Sequence, residues 1–275
     1  MGVLNVTPDS FFDGGRYDDA ANAAQRIDQL VADGADLIDI GAESTRPGAA
    51  AIAPEEQIAR LEPALRYAAS TGVLLSVDTA SPAVARHALA LGAHLINDVS
   101  CLADDDLARA CVEHGAPLII MHARGPAASM AGFSVYPDAG YQNVVEDVRS
   151  EWRAARDRAL AVGMARDDVY FDPGLGFAKN AQQSYTLLAR LAEFRSEWLL
   201  VVGASRKSFL AAVDGAPPAE RLGGSVAASL VAAARGAAIV RVHDVREVRQ
   251  ALRVTALLER ESNRSASVSA EAHAG

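Results

Sequence analysis

The sequence predicts a single (β/α)8 TIM barrel with its active site at the C-terminal ends of the strands. Eight short apolar runs each end in a polar or charged residue, and amphipathic, alanine-rich stretches of helical length separate them. A chain of 275 residues also suits one such barrel, for which about 250 residues is typical. Strands alternating with helices argue for βα units around a parallel sheet.

The apolar runs lead in order to Asn5, Asp39, Asp78, Asn97-Asp98, His122, Asp172, the Gly203–Lys207 segment and His243. Side chains alternate across a strand, so Ile239, Arg241 and His243 share one side of the last strand while Val240 and Val242 face the covering helices. Two cationic-type groups therefore converge at that strand's end. Helices are expected over about 19–33, 54–70, 82–91, 105–114, 141–162, 181–193, 218–234 and 244–260. Asp33-Gly34 and His114-Gly115 supply glycine stops, whereas Ala53-Pro54 and Ser81-Pro82 supply starts. The first strand begins at Met1 or Gly2, which predicts an open N-terminal mouth. Residues 1–262 form the barrel domain, and the Ser/Ala-rich stretch 263–275 is expected to be a disordered tail.

Composition excludes several classes. Half the residues are apolar, enough for a sizeable core, and the net charge of −9 argues against general nucleic-acid binding. Acidic clusters such as Glu55-Glu56 and Asp104-Asp105-Asp106 read as solvated helix faces. Cys101 and Cys111 have neither metal-ligand spacing nor a disulfide pattern, so packing roles and a reducing, cytoplasmic compartment are expected. No apolar run approaches the roughly 20 residues of a membrane span, and no signal peptide is recognisable.

Loops that follow barrel strands carry the chemistry. After the first strand, Thr7-Pro8-Asp9-Ser10-Phe11-Phe12-Asp13-Gly14-Gly15 combines a turn proline, paired glycines, carboxylates and aromatics, the pattern of a mobile lid. After the second, Glu43-Ser44-Thr45-Arg46-Pro47-Gly48 offers a hydroxyl and a guanidinium suited to an anionic group.

Nine segments together resemble the dihydropteroate synthases of the pterin-binding barrel family: MGVLNVTPDSFFDGG (1–15), GAESTRPGA (41–49), SVDT (76–79), INDVS (96–100), MH (121–122), DPGLGFAKN (172–180), GASRKSF (203–209), ERLGGS (220–225) and RVHDV (241–245). The resemblance spans the whole barrel in order. It implies condensation of 6-hydroxymethyl-7,8-dihydropterin diphosphate with 4-aminobenzoate, releasing pyrophosphate. It also implies a homodimer and susceptibility to sulfonamides.

Under that resemblance, Asp172 is expected to clamp the pterin's 2-amino group and adjacent ring N–H, because a carboxylate accepts such a donor pair in parallel. Asp78, Asn97 and Lys207 are expected at the other heteroatoms, with Met121 and Phe177 against the ring faces. Arg241, His243, Thr45 and Arg46 would hold the diphosphate, and Asn5 would present its amide oxygen to Mg2+. Ser208, at a helix start after the seventh strand, would receive the benzoate carboxylate, with Phe11, Pro47 and the Lys207 stem as walls. Asp13 would orient the amine or stabilise developing positive charge. Groups set against the departing pyrophosphate lower the barrier to a dissociative, SN1-like displacement. A methyltetrahydrofolate:corrinoid methyltransferase would have no diphosphate for Arg46, Arg241 and His243 to meet. A silent pterin-binding scaffold would be free to lose the first-loop, second-loop and Lys207 residues.

Overall fold

Eight parallel strands lie in the order β1 to β8, each hydrogen-bonded to the next, in a computed structural model that describes residues 1–7, 16–43, 52–125 and 140–273. They are β1 (Gly2–Asn5), β2 (Leu37–Gly41), β3 (Leu74–Asp78), β4 (Leu95–Asp98), β5 (Leu118–Met121), β6 (Val169–Asp172), β7 (Leu200–Val202) and β8 (Ala237–Val240). The ring closes where Val3 N–H donates to Val242 O at 3.1 Å and Val242 N–H donates to Met1 O at 2.9 Å. The helices are α1 (Arg16–Ala32), α2 (Pro54–Thr71), α3 (Pro82–Ala90), α4 (Asp105–His114), α5 (Val144–Ala161), α6 (Ala181–Ala189), α7 (Leu222–Ala234) and α8 (Val245–His273).

Local chemistry sets several helix ends. Ser81 caps α3 by accepting from Val84 N–H, with Pro82 as the first helical residue, and Asp104 caps α4 by accepting from Asp106 N–H. Gly115 ends α4 at φ 63°, a conformation glycine adopts without a steric penalty. Helix starts shift by three residues at α1 and α5, and three further helices differ more from the sequence expectation. α6 stops at Ala189 before a separate 3-10 turn, α7 begins only at Leu222 after another, and α8 runs past 262 to His273. Between Val245 and His273 the chain has neither proline nor glycine to interrupt helix, and α8 is continuous through that segment.

Strand alternation divides the core into two regions. Leu75, Val77, Ile96, Phe171 and Val202 pack outward against the helices. Met1, Leu37, Leu95, Ile119 and Val201, joined by Tyr170 and Ile239, fill the lower barrel interior. Leu74 and Leu199, at the entries to β3 and β7, remain 50% and 40% exposed. A bulge in β8 pairs Leu200 with Ala237 but Val201 with Ile239. The extra residue, Ala238, sets the phase that brings Ile239 and then Arg241 to the inner side. Cys111 is fully buried and Cys101 half-buried, both as free thiols, in keeping with packing roles.

Candidate active site

The upper interior is polar. Register places Asn5 beside Gly41, Gly41 beside Asp78 and Asp78 beside Asn97, while Met121 lies beside Asp172 on the opposite wall. Parallel pairing thus converts residues far apart in sequence into one ring at the mouth.

Arg241 is the central cation. Its Nε donates to Asp39 Oδ2 at 2.6 Å and its Nη2 to Asp78 Oδ2 at 3.0 Å. Asn97 Nδ2 also donates to Asp39 Oδ2, at 3.1 Å. Burial pushes the Asp78 carboxyl up to about 7, against the pull of Arg241 and with reinforcement from the neighbouring charges of Asp39 and Asp98. On the opposite wall, burial also raises Asp172, while Lys207 and the Gly174 N–H, which donates to Oδ1 at 2.7 Å, work against the rise.

Lys207 lies in the same mouth. Its Nζ donates to Leu175 O at 2.8 Å and sits 4.2 Å from the centre of the Phe177 ring. Burial lowers it to about 8. Met121, Ala123 and Phe177, with Val99 beside them, form a small apolar patch separate from the main core. This patch supplies a flat wall, and the carboxylates and amide supply an edge.

His243 corrects one expectation. Burial, aided by the Arg241 and Arg206 charges, lowers it to about 4, so it is a neutral hydrogen-bonding group rather than a second cation. Its backbone N–H donates to Ser205 Oγ at 3.2 Å and its Nδ1 lies 3.1 Å from the same oxygen. The hydroxyl proton can then go to Nδ1, which leaves Nε2–H as the free donor. Ser208 opens a 3-10 helix of five residues, Ser208–Ala212, directly after Lys207, so a helical turn does start there. Asn5 is exposed at the end of β1. A side chain at Gly41 would come within 3.6 Å of Asn5 Oδ1 and 3.3 Å of Asp78 Cβ, so this glycine keeps space clear beside the amide oxygen. Phe11, Asp13, Thr45, Arg46 and Pro47 lie outside the described residues.

Two elements of the site were not singled out from sequence. Asp39 reads there as the polar end of a run, although the strand continues through Ile40 and Gly41 and buries it completely. Lys179 is the second. Fully buried, it donates to Phe177 O at 2.9 Å and Gly174 O at 3.1 Å and reaches His122 Nδ1 at 2.9 Å. His122 Nε2 in turn meets Glu151 at 3.0 Å. This chain ties the loop carrying Phe177 to β5 and α5. Gly174 shares the constraint, since at φ +64° a Cβ would lie 2.0 Å from His122 O. The only sequence signal for the tie was a lysine inside an otherwise glycine-rich loop.

A parallel barrel whose mouth combines a carboxylate and amide edge, an apolar wall and an arginine defines an enzyme for a flat, nitrogen-rich ring bearing an anionic group. The family model described as pterin binding enzyme matches residues 1–243. The dihydropteroate synthase of Escherichia coli K12 is 42% identical over 256 residues, covering 92% of this chain and 89% of its own. The Burkholderia cenocepacia dihydropteroate synthase complexed with 7,8-dihydropteroate superposes with a TM-score of 0.83 at 40% identity, covering 96% of this chain and 92% of that one. The Xanthomonas albilineans enzyme with 4-aminobenzoic acid gives 0.86 at 38%, covering 94% and 92%. The chain belongs to the pterin-binding enzyme family and, within it, to the dihydropteroate synthases.

Proposed function

We propose that this chain condenses 6-hydroxymethyl-7,8-dihydropterin diphosphate with 4-aminobenzoate to give 7,8-dihydropteroate and pyrophosphate. The observation that carries the reading is the convergence of Asp78, Asn97, Asp172, Lys207 and Arg241 around the Met121/Phe177 wall. Asp172 accepts from the amino group and ring N–H of the pterin, Asp78 and Asn97 meet the rest of its edge, and Lys207 donates to a ring acceptor. Met121 and Phe177 exclude water from the ring face.

Arg241 meets the diphosphate as a cation and His243 as a neutral donor through Nε2–H, with Thr45 and Arg46 added from the second loop. Asn5, beside the space kept by Gly41, is the residue to hold Mg2+, and a single amide oxygen suits an ion that retains most of its water. When bound, Mg2+ neutralises charge on the phosphate oxygens. The bond between the pterin methylene carbon and the bridging oxygen breaks with its electron pair going to pyrophosphate. Arg241 and His243 stabilise that charge as it develops. The aniline nitrogen then bonds to the methylene carbon and loses a proton, with Asp13 placed by the motif to orient the amine. Ser208, Phe11, Pro47 and the Lys207 stem form the aminobenzoate pocket, which makes sulfonamides competitive inhibitors.

The two free thiols fit a cytoplasmic location. Among the described residues no helix is long and apolar enough to cross a membrane. Val254, Leu257 and Leu258 on α8 are 51%, 59% and 64% exposed at helical i, i+3, i+4 spacing, which supports a homodimer through this face. Incubation with both substrates and Mg2+ tests the function. Equimolar pyrophosphate and dihydropteroate are expected, and absence of both products with a folded protein would refute it.

A further inference from the structure

Asp39 is costly where it stands. It is 0% exposed inside the barrel, one inward position below Gly41 on β2 and in register with Val3 and Ser76. Both of its hydrogen bonds fall on Oδ2, from Arg241 Nε and Asn97 Nδ2, while Oδ1 is buried without a hydrogen-bond partner among the described residues. A buried ion pair is weak evidence of a stabilising role, because well-packed apolar residues often do as well, and an unsatisfied buried oxygen adds a further cost. Both partners, moreover, belong to the site rather than to the scaffold.

We propose that Asp39 is a positioning residue: from beneath the mouth, its one oxygen aims the Arg241 fork and fixes the sense of the Asn97 amide for the pterin diphosphate. The inference rests on the function proposed above. Arg241 spends Nε on Asp39, which leaves its Nη groups directed at the mouth, where Nη2 already reaches Asp78. Arginine's planar fork transmits this orientation, since holding Nε sets the plane in which both Nη groups lie. For Asn97, giving Nδ2 to a carboxylate forbids the flipped amide, whose oxygen would face Asp39. Oδ1 and the second N–H are thereby offered to the ligand in one order. The two halves of the substrate, ring and diphosphate, are thus referred to a single buried atom.

The experiment compares the unaltered protein with Asp39→Asn, alone and in an Arg241→Ala background. Asp39→Asn is expected to raise the KM for pterin diphosphate by about tenfold while that for 4-aminobenzoate stays within about twofold. Pyrophosphate affinity by calorimetry should fall comparably, yet change less than about twofold when Arg241 is already absent. Unchanged KM and pyrophosphate affinity, or an equal loss in both backgrounds, would overturn the proposal. A measurement on the unaltered protein stands apart from any folding defect: the Arg241 Nε–H, assigned by its loss in Arg241→Lys, should be protected from hydrogen exchange before and after pyrophosphate binds. Exchange at the rate of free arginine would overturn it too. Failure of the unaltered enzyme to form dihydropteroate would refute the function, whereas the binding and exchange results would still decide the role of Asp39.

Discussion

Arg241 Nη2 lies 3.0 Å from Asp78 Oδ2, so the cation proposed to meet the diphosphate and a carboxylate proposed to meet the pterin are hydrogen-bonded to each other in the free site. A ligand entering this mouth divides an existing pair, and its affinity depends on the charge state of both groups.

Catalysis should have a bell-shaped pH dependence. Asp78 is raised to about 7 by burial and must lose its proton to accept from the pterin, whereas Lys207, lowered to about 8 by burial, must keep its own to donate. The kcat/KM for pterin diphosphate should therefore rise through about 7 and decline above about 8. Asp78→Asn should remove the acidic limb at reduced overall rate, and Lys207→Arg should move the alkaline limb upward. A profile flat across both limbs would contradict these roles.

Removing Arg241 should weaken the fold as well as the binding. The side chain is 19% exposed between Asp39 at 0% and Asp78 at 11%, and stripping the cation from such a site costs about 3–5 kcal/mol by the usual behaviour of buried pairs. Denaturant titration should show the loss, and calorimetry should show weakened pyrophosphate binding. Wild-type stability would mean that Asp39 and Asp78 do not depend on Arg241.

The pterin clamp is tested at Asp172. Its Oδ1 already accepts from Gly174 N–H, so an amide there would keep its oxygen on the loop and turn its NH2 toward the donors of the pterin. Losing a charge-assisted pair costs about 1.5–3 kcal/mol, which is about tenfold or more in affinity. Calorimetry of Asp172→Asn with a pterin analogue should show that loss, and equal affinity would remove Asp172 from the clamp.

Acid should destabilise the protein through His122. Burial, with the Lys179 charge beside it, lowers this imidazole from 6.5 to about 4, despite the opposing pull of Glu151. Because the folded-state pKa lies below the unfolded one, stability is present above 6.5 and is lost as pH falls through about 4. His122→Gln can still donate to Glu151 and accept from Lys179 without titrating. Urea titrations from neutral pH to pH 4 should show a smaller decline in that variant, and an identical decline would assign the effect elsewhere.

The α8 face is tested by charge. Leu257→Glu with Leu258→Glu alters exposed positions and should leave the monomer folded while preventing association. Sedimentation should give a dimer for the unaltered chain and a monomer for the variant. A dimer that persists would place the interface on another surface.

Much of the barrel was legible because its cause is local and periodic. The eight runs ending in polar residues correspond to β1 through β8, and Ser81-Pro82 and His114-Gly115 mark the start of α3 and the end of α4 because caps act within one turn. Alternation likewise put Arg241 inside the barrel. It fell short at helix ends without strong punctuation, where α8 continues through Ala, Ser and Glu and α7 waits until Leu222.

What sequence determined by itself was the identity of the groups at the mouth: Asp78, Asn97, Asp172, Lys207 and Arg241, each at or just beyond the end of a strand or in the loop that follows it. Only the tertiary structure decided their electrical state and partners, because these depend on neighbours contributed by other strands. His243 reads as a cation from its type and becomes neutral beside Arg241 and Arg206 in a buried setting. Asp39 reads as the end of a run, yet Arg241 reaches it across 202 residues of sequence when the barrel closes. Periodicity decides which side of a strand a group faces, but burial and long-range contact decide its charge and what that charge holds in place.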